Sequence, residues 1–242
     1  MVSESFNAML TPGQLREPGL AVFDMDSTLI QQEVIDELAR KVGKYDQVSA
    51  VTEAAMRGEL DFEASLRARV KHLDGVPVSI WDELKADIIS FTPGARELTK
   101  VLKHYGWKLA VLSGGFMPLA TWVRSELGLD YAFANHLVVD EQTGTLTGEL
   151  VPGAPIVHAL RKRELLAQLA EENHIAMQAT IAVGDGSNDL LMMKAAGVGI
   201  AFNAKPKVQA EAPAKINSDT LLDVAYLIGY SREDVEKALG SR

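Results

Sequence analysis

The stretch LAVFDMDSTL, residues 20–29, decides how this sequence is interpreted. Its first four residues are apolar and predict a short buried strand. The run ends at Asp24 and Asp26, and alternate positions of an extended segment point the same way unless the backbone already turns at Asp26. Two like charges at this separation need a cation or a proton to compensate them. A hard cation such as Mg²⁺ accepts one or two carboxylates and keeps positions open for phosphate oxygens.

Two interpretations of this stretch remain open at this point. In the first, one aspartate is a nucleophile and the other handles protons for it. In the second, the strand ends in a solvated turn, where Asp, Ser and Thr are common for local hydrogen-bonding reasons. The remainder of the chain has to decide between them.

Composition limits the class of protein. With 242 residues the chain can form one large domain or a core with a smaller appendage. The net charge of −9 argues against general nucleic-acid binding, and no apolar run reaches the roughly 18 residues of a membrane helix. The N-terminal residues lack a secretory pattern, and the absence of Cys excludes disulfides and thiolate chemistry. We therefore expect a cytoplasmic protein without nucleic-acid or membrane partners, and the sequence leaves its oligomeric state open.

Residues 32–90 have helical periodicity and no convincing strand pattern. An apolar stripe begins at Val34 and ends before Gly43, and two further helices are predicted over 46–57 and 61–73. We predict a loosely ordered lead-in over 1–17, an α/β core over 18–31 and 91–242, and a helical cap over 32–90, inserted after the first strand.

From residue 93 onward, helices and strands alternate. Strands are predicted over 107–112, 180–183 and 198–202, and a hairpin over 131–151. This alternation predicts an α/β fold with a parallel sheet and helices on both faces. The polar clusters follow the carboxyl ends of strands, where open α/β sheets bind their ligands.

Four groups of polar residues lie at helix or strand boundaries. They are Asp24 with Asp26, Ser113 with Gly114, Lys162, and Asp185 with Asn188 and Asp189. Each has a plain structural explanation, such as a turn at Ser113 or a solvated basic helix face over 161–163. Taken together they supply what phosphoryl transfer needs, namely an attacking carboxylate, Mg²⁺, and donors that neutralise the phosphate oxygens.

Other motifs point away from competing chemistries. Residues 185–189 resemble the start of a calcium loop, but Leu190 stands where Gly is required and Ala196 where Glu is required. The five His residues have no metal-ligand spacing. Neither a G-x-S-x-G elbow nor a phosphate-binding G-x-x-x-x-G-K-[ST] loop occurs, which excludes serine hydrolases and P-loop proteins.

One cation has an unusual position in the predicted cap. Arg69 shares a helix face with the apolar residues Phe62, Leu66 and Leu73. A guanidinium there needs an anionic partner or a route to solvent for its head group. Both explanations stay open on the residues alone.

The motifs DMDST, the Ser-Gly pair after the second core strand, the later Lys and GDGSND resemble the phosphatase branch of the haloacid dehalogenase superfamily. The segments DFEASLRARVKHLDGVP, SGGF, LGLDYAFAN and AVGDGSND resemble the phosphoserine phosphatase family within it. This resemblance covers nearly everything from Leu20 onward. It implies a Rossmann-like α/β core with a small helical cap, Mg²⁺ as cofactor, and O-phosphoserine as the small-molecule substrate.

The resemblance also implies roles for individual residues. Asp24 would be the nucleophile that forms an aspartyl-phosphate, and Asp26 would protonate the leaving oxygen and then activate water. Mg²⁺ would be held by Asp24, by the backbone carbonyl of Asp26 and by Asp185, with Asp189 supporting the site. The residues implied for the substrate are Glu33 for its ammonium, Arg69 for its carboxylate, Met56 and Phe62 as shields, and Ser113, Gly114, Lys162 and Asn188 for its phosphate.

The resulting expectation is an Mg²⁺-dependent hydrolysis of O-phosphoserine to serine and phosphate, the last step of serine biosynthesis. A phosphotransferase of the same fold, which passes the phosphoryl group to an alcohol such as homoserine, is the closest alternative. A phospho-Asp signalling module, from a different class, needs no cap of about 60 residues. A silent binding protein is disfavoured because every chemical position is intact.

Overall fold

The computed structural model describes residues 18–240, so the predicted lead-in over 1–17 lies outside the described residues. Its strands are β1 (Leu20–Phe23), β2 (Lys108–Phe116), β3 (Tyr131–Asn135), β4 (Leu137–Asp140), β5 (Thr145–Leu150), β6 (Thr180–Gly184), β7 (Val198–Phe202) and β8 (Ala214–Ile216). Six of them form a parallel sheet in the order β3-β2-β1-β6-β7-β8, and β4 and β5 form a separate antiparallel hairpin. The predicted α/β class is confirmed.

The residues 18–240 also contain eleven α-helices. Those between β1 and β2 are α1 (Val34–Lys41), α2 (Tyr45–Met56), α3 (Phe62–Val70), α4 (Ile80–Asp87) and α5 (Ala95–His104). Those after β2 are α6 (Met117–Leu127), α7 (Ala159–Glu172), α8 (Leu190–Ala195), α9 (Pro206–Glu211), α10 (Asp223–Leu227) and α11 (Arg232–Gly240). Within residues 18–240, every helix is too short or too polar to cross a membrane.

The sheet is covered on both faces. In β1, Ala21 and Phe23 belong to one apolar core, and Leu20 and Val22 belong to the other. All four side chains are fully buried, as expected for a central strand of a parallel sheet between two helical layers. This central position brings the end of β1 to the middle of the carboxyl edge, where the acidic motif begins.

The second strand is longer than the sequence indicates. The prediction ended it at residue 112, because the following Ser-Gly-Gly is typical of a turn. In the structure β2 runs on to Phe116, with an irregular register against β3 between Leu112 and Phe116. An irregularity of this kind re-aims the backbone without ending the strand. The prediction of a hairpin over 131–151 was also too broad, because residues 131–135 join the main sheet as β3.

The helices α1–α4 occupy the segment where helical periodicity was predicted. Asp61 accepts a hydrogen bond from the backbone N–H of Ala64 at 2.7 Å and so caps the start of α3, which begins at Phe62 within the helix predicted over 61–73. Gly43, after α1, has a φ of +67°, a left-handed conformation that favours glycine.

Candidate active site

The acidic residues converge where two central strands end. Asp24 follows β1 and Asp185 follows β6, and these strands pair directly. The backbone N–H of Asp24 donates to the carbonyl of Val183 at 2.9 Å, which extends this pairing to the edge. Asp24, Asp185 and Asp189 each place a carboxylate oxygen within 4.8 Å of the others. Oxygens grouped in this way can share one cation.

The backbone turns directly after Asp24, as the sequence allowed. Asp26 has φ and ψ of −65° and 135°, and Ser27 has a φ of +54° in the left-handed region. A methyl group built on Gly115 would lie 3.1 Å from Oδ2 of Asp26 and 3.0 Å from Oγ of Ser113. The turn therefore brings Asp26 against the irregular end of β2, and Gly115 leaves room for this approach.

Lys162 is the central cation of the site. Its side chain is fully buried, and its Nζ lies 2.9 Å from Oδ1 of Asp24 and 2.7 Å from Oδ1 of Asp189. Burial alone would lower the pKa of Lys162, but Asp189 and Asp24 outweigh it and raise that pKa above its ordinary value. The basic run over 161–163 is therefore not a uniformly solvated face, because its middle residue points into the protein.

One buried lysine does not balance the carboxylates around it. Burial, followed by repulsion from Asp24 and Glu33, raises the pKa of Asp185 to about 7, although the Thr28 hydroxyl donates to it at 3.2 Å. Burial also raises the pKa of Asp26 well above its usual range, with repulsion from Glu33 and Asp24 adding to the effect. Oδ1 of Asp26 is buried and makes no hydrogen bond. This excess of negative charge fits a site for a divalent cation.

The chemistry of the donors narrows the choice of cation. The three grouped donors are all carboxylate oxygens, and the chain has no Cys. Hard cations such as Mg²⁺ prefer oxygen ligands, whereas softer metals select thiolate or imidazole. The residues present therefore fit Mg²⁺.

Ser113 and Gly114 lie at the irregular end of β2. The hydroxyl of Ser113 is buried and accepts a hydrogen bond from the backbone N–H of Gly115 at 2.8 Å. The carbonyl of Gly114 accepts a hydrogen bond from Nδ2 of Asn135 at 2.8 Å. Both residues are therefore held in place beside Asp26.

Asn135 ends the segment LGLDYAFAN, and the sequence predicted no role for it. Its side chain is buried, and its Oδ1 accepts from the backbone N–H of Val157 at 2.9 Å while its Nδ2 holds Gly114. Asn135 thus ties β2 to the segment that leads into α7, which carries Lys162. The position of this Asn at the carboxyl end of a strand is the sequence feature from which a role in the site could have been predicted.

The motif after β6 is organised by its own side chains. Asp189 is fully buried, and its Oδ2 accepts from the backbone N–H of Gly186 at 3.0 Å while its Oδ1 faces Lys162. Asn188 is partly buried, and a methyl group on Gly186 would overlap its Oδ1. The partial resemblance of residues 185–189 to a calcium loop has no counterpart in the structure, because Asp189 pairs with Lys162.

Glu33 and Phe62 approach the sheet edge from the helical segment. Oε1 of Glu33 accepts from the Ser27 hydroxyl at 2.7 Å. The ring of Phe62 covers Gly114, since a methyl group on Gly114 would lie 3.1 Å from its Cζ. Both residues therefore lie beside the carboxyl edge of the sheet, next to the acidic group.

Arg69 and Met56, two further residues of the helical segment, differ in their exposure. Arg69 is partly buried, and its Nε donates to the carbonyl of Ser65 at 3.3 Å. Within residues 18–240 no carboxylate lies within 4.0 Å of its guanidinium. Burial lowers its pKa, while Asp36 and Glu33 oppose this shift. Met56 is 68% exposed at the end of α2 and so shields little in this conformation.

Comparisons with known proteins find relatives of this chain in sequence and in structure. A sequence profile of the haloacid dehalogenase-like hydrolases matches residues 19–197. A probable phosphoserine phosphatase of Schizosaccharomyces pombe is 48% identical over 92% of this chain and 74% of its own length. The phosphoserine phosphatase of Idiomarina loihiensis is 52% identical over 85% of this chain and 91% of its own length.

A solved structure extends the similarity to three dimensions. It is described as a phospho-aspartyl intermediate analogue of phosphoserine phosphatase and has a TM-score of 0.79 and 40% sequence identity to this chain. The match covers 87% of this chain and 99% of that one.

Proposed function

The chain belongs to the haloacid dehalogenase-like hydrolases and, among them, to the phosphoserine phosphatases, and on this premise we propose that it hydrolyses O-phosphoserine to serine and phosphate with Mg²⁺ and an aspartyl-phosphate intermediate. The observation that carries the proposal is the convergence of Asp24, Asp185 and Asp189 within 4.8 Å, beside the buried Lys162. A carboxylate held by a buried cation at a sheet edge is suited to attack phosphorus.

Asp24 is the proposed nucleophile. The N–H of Met25, at 2.7 Å, and Nζ of Lys162, at 2.9 Å, both hold Oδ1 of Asp24. These donors fix the carboxylate and leave Oδ2 to form the new bond to phosphorus. As that bond forms, the bond between phosphorus and the serine oxygen breaks.

Asp26 is the proposed acid and base. Its raised pKa favours a protonated carboxyl group that can give its proton to the departing serine oxygen. The resulting carboxylate then takes a proton from a water molecule that attacks the phosphorus of the intermediate. Phosphate leaves, and the carboxylate of Asp24 is regenerated.

The proposed ligands of Mg²⁺ are Asp24, the backbone carbonyl of Asp26 and Asp185. When bound, the ion supplies positive charge that neutralises a phosphate oxygen and the crowded carboxylates. Asp189 supports the site by holding Lys162. The remaining phosphate oxygens would be bound by Lys162, by Ser113 with the adjacent Gly114 backbone, and by Asn188.

Recognition of the serine part is assigned to residues 32–90, proposed as a cap on a core of 18–31 and 91–242. Arg69 has no carboxylate partner within the described residues and suits the substrate carboxylate as a bidentate donor. Glu33 suits the substrate ammonium. Phe62 already covers Gly114, and Met56 would shield the intermediate from bulk water once the helices move closer.

The test is phosphate release from a panel of phosphomonoesters. We expect O-phosphoserine to be hydrolysed faster than phosphoethanolamine, which lacks the carboxylate, and faster than p-nitrophenyl phosphate, which lacks both charged groups. Chelation of Mg²⁺ should stop all three reactions. Equal rates on the three substrates, or a new phosphoester with homoserine in place of free phosphate, would contradict the proposal.

With serine as the product, the proposed reaction is the last step of serine biosynthesis, which we assign to the cytoplasm. The substrate is a small soluble anion, so a net charge of −9 requires local cations to bind it. Lys162 and Arg69 supply them.

A further inference from the structure

A short extended segment fastens the helices to the hairpin. Residues 74–78, which we call the strap, connect the turn after α3 to α4. The N–H of Gly75 donates to the carbonyl of Leu146 at 2.8 Å, and the N–H of Leu146 donates to the carbonyl of Val76 at 2.8 Å. The N–H of Val78 donates to the carbonyl of Gly144 at 3.0 Å. The strap therefore pairs with β5 on the edge that β4 leaves open.

The strap follows directly on the helix that carries Arg69. α3 ends at Val70, and residues 71–73 continue it as a 3₁₀ turn into the strap. Lys71, two residues after Arg69, lies directly against β5. A displacement of this contact is therefore passed to Arg69 through one continuous helical segment.

Gly148 is the point of closest approach between β5 and this segment. A methyl group built on Gly148 would lie 3.1 Å from Cβ of Asp74 and 3.2 Å from the carbonyl oxygen of Lys71. Gly148 also has a φ of +71°. Glycine at this position thus permits both the backbone conformation and the contact.

We infer that the hairpin, through Gly148 and the strap, fixes the distance of Arg69 from the phosphate site. The hairpin thus acts as a positioning element for selectivity toward the carboxylate of the substrate. This inference rests on the proposed function, because it assumes that Arg69 binds that carboxylate. The hairpin also follows Asn135 directly, so the element that positions Arg69 is anchored at the residue that holds Gly114.

Gly148→Ala tests the inference, and Gly144→Ala is its matched control. Gly144 has a φ of +67° in the same hairpin, but a methyl group there would meet nothing within 4 Å. Both glycines have a positive φ, so alanine strains the backbone at either position, but only Gly148→Ala pushes on Lys71 and Asp74. Relative to Gly144→Ala, we expect Gly148→Ala to raise the KM for O-phosphoserine roughly three- to tenfold, with kcat/KM for p-nitrophenyl phosphate unchanged.

The outcomes separate the inference from the proposed function. If the wild-type protein hydrolyses O-phosphoserine and the two variants have the same ratio of activities on the two substrates, the inference is wrong and the proposed function stands. If the wild-type protein shows no preference for O-phosphoserine, the proposed function itself is wrong, whatever the two variants do.

A second measurement needs no variant. Amide hydrogen exchange of the wild-type protein should show the N–H groups of Gly75, Val78 and Leu146 protected about 100-fold or more relative to an unfolded peptide. Exchange of these amides at the unfolded rate would overturn the inference, because the strap would then not stay paired.

Discussion

The acidic sheet edge and the helical segment over 32–90 are in contact, through Ser27 with Glu33 and Gly114 with Phe62, but their side chains are held differently. At the sheet edge, Lys162 and Asp189 are fully buried and bonded to each other. In the helical segment, Met56 is 68% exposed and Arg69 has no carboxylate partner among the described residues. The groups proposed for chemistry are thus held in place before substrate arrives. In the groups proposed for recognition, the guanidinium of Arg69 can still pair with a carboxylate and the side chain of Met56 can still be buried.

This difference has a physical reason. A carboxylate that attacks phosphorus must be held in one geometry, because small misplacements are costly to the rate. Groups that recognise the substrate must also admit and release it, which favours an element with fewer fixed contacts. Pairing of the strap with the hairpin limits that freedom on one side.

Among the substitutions that test this difference, the largest effect on activity is expected at the sheet edge. Asp24→Asn should lower kcat for O-phosphoserine by at least ~10³-fold, because the amide is a poor nucleophile. Asp82→Asn, at an exposed position on α4, is the control and should leave kcat unchanged. Steady-state kinetics and thermal unfolding of both variants check this. Substantial activity of a folded Asp24→Asn protein would reject the covalent route.

A smaller effect is expected in the helical segment. Arg69→Ala should raise the KM for O-phosphoserine roughly 10- to 1000-fold, since a charge-assisted pair worth ~1.5–3 kcal/mol or somewhat more is lost. Phosphoethanolamine, which has no carboxylate, should be affected much less.

Arg67 provides the matched control on the same helix. It is exposed and pairs with Glu63 at 2.7 Å, so Arg67→Ala should leave the KM unchanged. An equal KM for wild type and Arg69→Ala would show that the helical segment does not recognise the carboxylate.

The smallest effect concerns pH and the metal. In the metal-free protein the pKa of Asp185 is raised to about 7, so a bound proton must leave when Mg²⁺ binds. The apparent Kd for Mg²⁺ should therefore fall about tenfold per pH unit as the pH rises toward 7, and then level off. Isothermal titration calorimetry at several pH values measures this.

The same shift also contributes to the pH dependence of stability without Mg²⁺. The pKa of Asp185 in the folded protein lies above the unfolded value of 3.8, so the folded state holds this proton more tightly than the unfolded state does. The stability that follows from this proton is present at low pH and is lost as the pH rises through about 7. The metal-free protein should thus unfold at lower temperature at pH 8 than at pH 5, and Mg²⁺ should reduce the difference. A metal affinity independent of pH would contradict the assignment of Asp185 as a ligand.

Much of this architecture could be predicted from local patterns. The apolar run before Asp24 and the helical periodicity before residue 90 reflect burial that repeats along the chain, so the sequence reveals them directly. The end of β2 was predicted wrongly, because Gly115 satisfies a close approach of Asp26 that only the tertiary structure creates.

The individual contacts of the site were harder to predict. The run over 161–163 looks solvated, and only pairing with Asp24 and Asp189 makes burial of Lys162 favourable. The role of Asn135 likewise depends on bonds to residues 21 and 22 positions away in the sequence. The spacing of residues along the chain reveals neither the partners of Lys162 nor those of Asn135.

The central claim, that Asp24 attacks phosphorus, has one direct test. The wild-type protein is mixed with O-phosphoserine and Mg²⁺, quenched in acid during turnover, and the peptide that contains Asp24 is examined by mass spectrometry. We expect one phosphoryl group on Asp24, absent when Mg²⁺ is withheld. Release of phosphate with Asp24 unmodified at every quench time, or with the phosphoryl group on another residue, would contradict the account.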